Sequence, residues 1–228
     1  MKNLKVLLAV LFSISTLACY AQTNTETREL RNFSSIKVAN AIEAELVKGD
    51  KNSISIVASG IDLDKVETNV SDDALEVKLG RGNFRSSSVK VTITYIDIDE
   101  VQAQTSAKVF VKNGLAGNQV YLFSGTNSYI EASVEATNLF IEAATNSKIA
   151  VKGSGENLDL KIYTNATVDA NNLTVTNAEV LANTAAKAEF KVTESIKGSA
   201  ATAAKITYSG DPKLVDIKTN TGGDIKKK

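Results

Sequence analysis

TNSYI at Thr126–Ile130, TNSKI at Thr145–Ile149 and TNATV at Thr164–Val168 are three copies of one pentapeptide. More diverged copies, TSAKV, TAAKA and TAAKI, begin at Thr105, Thr184 and Thr202. The six leading threonines are separated by 21, 19, 19, 20 and 18 residues. Self-similarity at a nearly constant period of this length is typical of solenoid proteins, in which each repeat is one structural unit.

The columns of the aligned repeats predict what each position does. The residue two places after the threonine is always small, and the residue four places after it is almost always bulky and apolar. The residues four places after the threonine are Val109, Ile130, Ile149, Val168, Ala188 and Ile206. Apolar positions alternate with polar ones on both sides of the threonine, which is the period of a strand with one buried face.

A unit of this size cannot bury its apolar face alone, but stacked copies bury a continuous column. The repeat therefore predicts an all-β, parallel β-solenoid with coils of about 19 residues. An antiparallel β-sandwich is the alternative, although it gives no reason for one pattern to recur six times. The repeat threonines and asparagines are predicted to stack at a corner and to hydrogen-bond from coil to coil. This predicted corner ladder consists of Thr105, Thr126, Asn127, Thr145, Asn146, Thr164, Asn165, Thr184 and Thr202.

The solenoid domain is predicted to span residues 31–218. Residues 101–210 carry the regular repeats, and residues 31–100 are predicted to form degenerate N-terminal coils or a cap. Residues 22–30 are predicted to be a polar spacer, and residues 219–228 a solvated tail. Because a solenoid ends in unpaired strand edges, self-association through its ends is a further expectation.

Composition excludes several classes of function. The chain has no histidine, one cysteine, and 26 basic against 26 acidic residues. These counts exclude a disulfide framework, a Cys/His zinc site and a histidine-based nucleophile, and no cofactor or metal is predicted. Balanced charge also removes the electrostatic argument for nucleic acid as a partner.

The first 21 residues have the pattern of a signal peptide: a basic start, an apolar run over residues 6–17 and a small-residue exit. Twelve apolar residues are too few to span a membrane, so no transmembrane helix is predicted. Cleavage after Ala21 would leave Gln22 first. Alternatively, the run Thr16–Cys19 partly resembles a lipobox, in which Cys19 would be lipidated. Both interpretations predict export to the periplasm, the outer-membrane surface or the medium.

Several segments together resemble the putative auto-transporter adhesin, head GIN domain family of exported bacterial proteins. They include RNFSSIKVANAIEAELVKGD from Arg31, VKVTITYIDIDEVQAQTSAKV from Val89 and the later repeats. The resemblance covers roughly Arg31–Gly210. It implies a single-stranded right-handed parallel β-helix on a Gram-negative cell envelope, with a role in adhesion. The family has no catalytic residues that could be assigned to this sequence.

The predicted function is therefore a non-catalytic structural or binding module that contacts a polysaccharide or extracellular matrix. The alternative is a pectinase-like lyase or hydrolase, because some parallel β-helices degrade polysaccharides and use clustered carboxylates. The candidate carboxylates are Asp159, Asp169 and Glu156, or Asp62, Asp64, Asp72 and Asp73. A column of lysines is a candidate binding stripe for an anionic polysaccharide, and it consists of Lys108, Lys148, Lys187 and Lys205.

Overall fold

The computed structural model describes residues 23–82, 84 and 86–228, and nearly all of its regular structure is β-strand. A single 3₁₀ turn lies at Leu63–Lys65. The strands are β1 (Thr23–Glu29), β2 (Ser35–Val38), β3 (Glu43–Lys48), β4 (Ser53–Ser59), β5 (Val66–Ser71), β6 (Ala74–Leu79), β7 (Ser88–Tyr95), β8 (Glu100–Ala103), β9 (Lys108–Val111), β10 (Leu115–Gly125), β11 (Tyr129–Ala144), β12 (Lys148–Ile162), β13 (Thr167–Ala182), β14 (Lys187–Ala200), β15 (Lys205–Ser209), β16 (Leu214–Thr219) and β17 (Asp224–Lys227). The predicted signal peptide and Cys19 lie outside the described residues.

The strands wind into a parallel β-solenoid of about seven turns with coils of about 19 residues, which confirms the predicted fold. The long strands β10 to β14 each bend within their length and pair with the next coil along nearly all of it. Ile130 pairs with Ile149, and Ile149 pairs with Val168. These three side chains are at most 1% exposed, so equivalent apolar residues from successive coils form one continuous core.

Each repeat corner consists of two consecutive residues with positive φ. At Thr126 and Asn127, for example, φ is 51° and 61°. All nine residues of the predicted corner ladder have this left-handed conformation. Asparagine tolerates it readily, but β-branched threonine does not, and an ordinary L-residue loses roughly 1–2 kcal/mol there. The repeated corner therefore needs a compensating interaction.

Backbone hydrogen bonds between coils provide that compensation. The N–H of the second corner residue donates to the carbonyl oxygen of the first corner residue in the next coil. Such bonds join Asn127 to Thr145 and Asn146 to Thr164, both at 2.9 Å. Seven of them, at 2.8–3.1 Å, run from Ala41 to Thr221. The predicted ladder was expected to bond through its side chains, whereas these coil-to-coil bonds join backbone groups.

A side-chain ladder occurs instead where the long strands bend, and the sequence interpretation missed it. Asn157 donates to the Oδ1 atom of Asn138, and Asn177 donates to that of Asn157, each at 3.1 Å. Ser195 then donates to Asn177 at 2.7 Å. These residues all stand seven places before a repeat threonine. That constant spacing is the sequence signal that could have identified the ladder.

The N-terminal third contains both solenoid coils and a cap, and its order in space differs from its order in sequence. β2 lies between β6 and β8, and β3 lies between β7 and β9, all in parallel. The coil of residues 35–48 is therefore interior, and the later residues 74–95 form the coil outside it. On that outer coil, β4 pairs antiparallel with β7, and β5 pairs antiparallel with β6.

The prediction of a spacer at residues 22–30 was wrong for the described part, because Thr23–Glu29 is strand β1 and pairs antiparallel with β4. The Arg28 guanidinium fixes this strand by donating to the carbonyl oxygens of Val66 at 2.7 Å and Leu63 at 2.9 Å. The segment resembled a spacer because an edge strand can be polar on both faces. We call β1, β4, β5 and the turn at residues 62–65 the N-terminal cap.

The predicted solvated tail at residues 219–228 was also wrong, because β17 continues the solenoid. Ile225 pairs with Ile206 and is only 8% exposed. Thr221 and Gly222 form another corner, with φ of 47° and 73°. Thr221 and Ile225 have the repeat spacing of a threonine and its apolar partner, but the surrounding glycines and lysines concealed this further copy.

Candidate functional site

A shallow groove runs across the outer side of β8, β10, β11 and β12, on the face that precedes the repeat corner. Its volume is about 290 Å³. We call it the aromatic groove. Its outward side chains are those of Glu100, Gln102, Gln104, Tyr121, Phe123, Phe140, Glu142, Asp159 and Lys161. A groove of this size and shape accommodates one or two small rings rather than a fully enclosed ligand.

Two stacked aromatic rings form the centre of the groove. Tyr121 pairs with Phe140 in the parallel register of β10 and β11, so their side chains lie directly over one another. Their ring centroids are 4.3 Å apart and their planes differ by 7°. Tyr121 is 40% exposed, so part of its ring forms an apolar surface open to solvent. Phe123 lies two residues further along the same strand and extends this surface.

Polar groups surround the rings. Glu100 pairs with Tyr121 on one side, and Asp159 pairs with Phe140 on the other. The Gln102 amide donates to Glu100 at 2.6 Å, and Lys161 donates to Asp159 at 3.0 Å. The hydrogen bond from Lys161 to Asp159, together with the charge of Asp159, raises the pKa of Lys161. Lys161 is therefore protonated at neutral pH. The groove thus combines an apolar platform with fixed acceptors and donors.

The structure separates the first set of candidate carboxylates. Asp159 lies in the aromatic groove, whereas Asp169 lies beyond the repeat corner, on the opposite outer face, where Asn171 donates to it at 2.9 Å. Glu156 lies at the bend between Gly155 and Asn157, beside the asparagine ladder. These three residues do not form one site.

The second set of candidate carboxylates lies in the N-terminal part of the protein. Asp62 directly precedes the 3₁₀ turn, and Asp64 lies within it. Asp72 and Asp73 form the turn between β5 and β6. Across residues 23–82, 84 and 86–228, no group of three acidic or thiol side chains is arranged to hold a metal ion.

The candidate lysine stripe lies on the face that follows the repeat corner, which we call the second face. The register aligns Lys108, Tyr129, Lys148, Thr167, Lys187 and Lys205 in one column. At the N-terminal end of this face the charges alternate in sign: Lys90 pairs with Glu43 at 2.8 Å, and Lys112 pairs with Glu45 at 2.9 Å.

Tyr129 interrupts that column and provides a pH-dependent signal. It donates to a carboxylate oxygen of Glu131 at 3.0 Å, and partial burial together with this bond raises its pKa to about 12. The raised pKa favours the neutral phenol in the folded protein. The resulting stability is fully present below pH 10 and is lost as the pH rises towards 12. Burial also raises the pKa of Tyr95 and Tyr163, so phenolate absorbance should show a late-ionising component to which Tyr129 contributes, and Tyr129→Phe should reduce that component. An unchanged titration in the variant would contradict the assignment.

The sequence interpretation missed the aromatic groove because it followed the inward columns and the lysine column. Tyr121 and Phe140 each stand five places before a repeat threonine. Two aromatic residues in an outward column of a solenoid must lie side by side, because that column is spaced at about 4.8 Å. The shared position of these two aromatic residues is the sequence signal that could have identified the groove.

Comparisons with known proteins agree with the architecture. The model of a family described as "Putative auto-transporter adhesin, head GIN domain" matches residues 32–212. No curated protein matches the sequence. No helix among the described residues has both the length and the apolar character needed to cross a membrane.

Solved structures share the fold at low sequence identity. A putative adhesin from Bacteroides fragilis is 17% identical, with a TM-score of 0.82 over 91% of this chain and 97% of that one. A putative adhesin from Parabacteroides merdae is 16% identical, with a TM-score of 0.75 over 92% and 97%. A structure called a putative lipid binding protein, from Parabacteroides distasonis, is 15% identical, with a TM-score of 0.64 over 92% and 98%.

Proposed function

Because the chain belongs to the putative auto-transporter adhesin, head GIN domain family, we propose that it is an exported, non-catalytic binding module that contacts glycans through the aromatic groove. The stacked pair of Tyr121 and Phe140 carries this proposal. A sugar ring has an apolar face of C–H groups that packs on an aromatic ring, and it has hydroxyls that hydrogen-bond at the ring's edge. The groove offers both kinds of partner at the same place.

Charge narrows the class of glycan. Glu100, Glu142 and Asp159 line the groove with one opposing cation, Lys161. An excess of carboxylates repels a polyanion and accepts hydrogen bonds from hydroxyls or from a sugar ammonium group. The proposed ligands are therefore neutral or amino sugars. The same charges disfavour the pectinase-like alternative, because pectin is a polyanion.

Tyr121→Ala is expected to weaken glycan binding about tenfold. Without the ring, on the order of 60 Å² of apolar area would no longer be buried when the sugar binds. This loss is worth roughly 1.5 kcal/mol of binding free energy, or about a factor of ten in Kd. Binding of the purified protein to arrays of neutral, amino and anionic glycans, followed by titration of the best ligand, provides the measurement. Tyr129→Ala is the matched control, because it removes a tyrosine from the second face.

Four results would count against glycan recognition in the groove. Equal affinity of the wild type and Tyr121→Ala would remove the groove from the binding site. Preference for anionic glycans that is lost with Lys148→Ala would assign binding to the lysine column instead. Release of new reducing ends or unsaturated products by the wild type, abolished in Asp159→Asn, would favour the enzyme alternative. Arrays should include immobilised matrix proteins, since binding to those alone would also contradict a glycan ligand.

Export to the cell envelope is part of the proposal, and the family assignment supports it. Fractionation of cells followed by mass spectrometry of the native N-terminus provides the test. A chain that begins at Gln22 would indicate simple cleavage, whereas a diacylated or triacylated Cys19 would indicate a lipid anchor. An intact Met1 in the cytoplasm would contradict export.

A further inference from the structure

A second groove continues the aromatic groove along the same outer face. It lies across β12, β13, β14 and β16 and has a volume of about 350 Å³. Asp159 and Lys161 line both grooves, so the two are continuous. We call the combined surface the trough. The outward side chains that the second groove adds are those of Glu179, Leu181, Lys197, Ser199, Asp216 and Lys218.

The trough is longer across the strands than along them. It crosses seven strands that pair in register, from β8 to β16. At the usual strand spacing this is a length of about 29 Å. Along one strand the face has three outward positions before the repeat corner, such as Asp159, Lys161 and Tyr163, which span about 13 Å. A ligand that fills the trough must therefore be extended and must run along the solenoid axis.

Apolar supports recur along the trough. The stacked rings of Tyr121 and Phe140 form the first. Leu181 forms the second: it pairs with Lys161 and Ser199 in the neighbouring coils and is 41% exposed. Phe140 and Leu181 lie on β11 and β13, two strand spacings or about 10 Å apart. In an extended β-1,4-linked glycan, alternate rings present the same face, so two such rings can meet these two supports.

Charged groups lie between and beyond the apolar supports. The ion pair of Asp159 and Lys161, at 3.0 Å, is on the strand between them. Glu179, Lys197 and Asp216 follow one another through the pairings of β13, β14 and β16, and all three are exposed. They offer carboxylate acceptors and an ammonium donor to sugar hydroxyls. The whole trough has five acidic and three basic side chains, an excess of acidic groups that disfavours a polyanion.

We propose that the trough binds a linear, extended chain of β-linked neutral or amino sugars, which lies across the strands and contacts both grooves. This inference rests on the proposed glycan function of the aromatic groove. It adds the class of ligand, which is a polysaccharide bound along its length rather than a single terminal sugar. Each ring of such a chain advances by about one strand spacing, so about six units fill the trough.

The dependence of affinity on chain length provides the first test. The full chain, purified as the host processes it, is titrated calorimetrically with two series of oligosaccharides, each from disaccharide to hexasaccharide. Cello-oligosaccharides are neutral, and chitosan oligosaccharides carry ammonium groups. Affinity for at least one series is expected to rise about tenfold from trisaccharide to hexasaccharide, because only the longer chain buries area against both grooves.

Variants then identify the two halves of the trough. Leu181→Ala with Lys197→Ala should lower the affinity for the hexasaccharide about tenfold, to near that for the trisaccharide, and leave trisaccharide binding unchanged. Tyr121→Ala should weaken the binding of both lengths, because short chains also need the aromatic platform. Lys187→Ala is the matched control, since it removes a lysine of the same strand, β14, from the second face. Melting temperatures close to that of the wild type confirm that the variants are folded.

A measurement on the wild type is independent of any variant. The methyl NMR signals of Leu181 should shift when the hexasaccharide is added and stay in place with the trisaccharide.

Three outcomes would overturn the inference. Equal affinity for trisaccharide and hexasaccharide, with both weakened by Tyr121→Ala, would exclude the long chain but leave the proposed function intact. Hexasaccharide binding that neither shifts the Leu181 methyl signals nor responds to the double variant would exclude the second groove. Binding of neither series would exclude a β-linked chain, whereas the arrays of other glycans test the proposed function separately.

Discussion

Gly153→Ala is expected to destabilise the solenoid by roughly 3 kcal/mol or more. Gly153 lies in β12, where the strand bends, and its φ of +120° is one that other residues rarely adopt. A Cβ atom added there would lie 2.0 Å from the carbonyl oxygen of Val134 in the preceding coil. Neither backbone can yield without breaking the ladder between β11 and β12. Urea unfolding followed by circular dichroism measures the change.

Gly117→Ala is the matched control. A Cβ atom at that position would have Gln119 as its only near neighbour, at an ordinary 3.7 Å, and the backbone is not left-handed. This variant should be within about 0.5 kcal/mol of the wild type. Equal stability of the two variants would mean that the bend at Gly153 does not have the backbone contact described here.

Leu46→Ala is expected to cost about 2–5 kcal/mol, as other large-to-small changes do in a packed core. Leu46 is fully buried and pairs with Ile93 on one side and with Val111 on the other. A cavity at this position would be enclosed by coils on both sides, so the structure could not collapse around it. Thermal and urea unfolding of the purified variant measure the loss.

Leu181→Ala removes the same atoms from an outward position, where the side chain is 41% exposed. Its cost should stay below about 1 kcal/mol. If Leu46→Ala were no more harmful than this control, the coil of residues 35–48 would not lie in the interior of the stack. A large effect of Leu46→Ala alone would support the observed order of coils.

The regular half of the fold was predictable because one residue pattern recurs with one spacing. Ile130, Ile149 and Val168 could be assigned to one buried column from sequence alone, and the structure places them there. The N-terminal order was not predictable in this way. Without a repeat, alternation identifies β2 and β3 as strands but does not indicate which later strands flank them.

The candidate site was predictable only in part. Asp159 was a candidate carboxylate from the sequence, and the structure pairs it with Lys161 in the groove. The aromatic rings beside them were missed, because an exposed tyrosine or phenylalanine has no significance until the register places two of them together. The C-terminal strand β17 was missed for a related reason: Ile225 is its only buried apolar residue, and its burial depends on Ile206 in the coil before it.

The interior position of the first coil has a consequence for the order of folding. Leu46 meets Ile93 and Val111 only after 47 and 65 further residues have been added, whereas Ile130 meets Ile149 after 19. Contacts between distant parts of a chain form slowly, because a long loop must close first. During synthesis, residues 35–48 remain without their neighbours until most of the first half has emerged. When the whole unfolded chain refolds, however, the repeats are expected to wind first and to form the nucleus onto which the earlier segment docks.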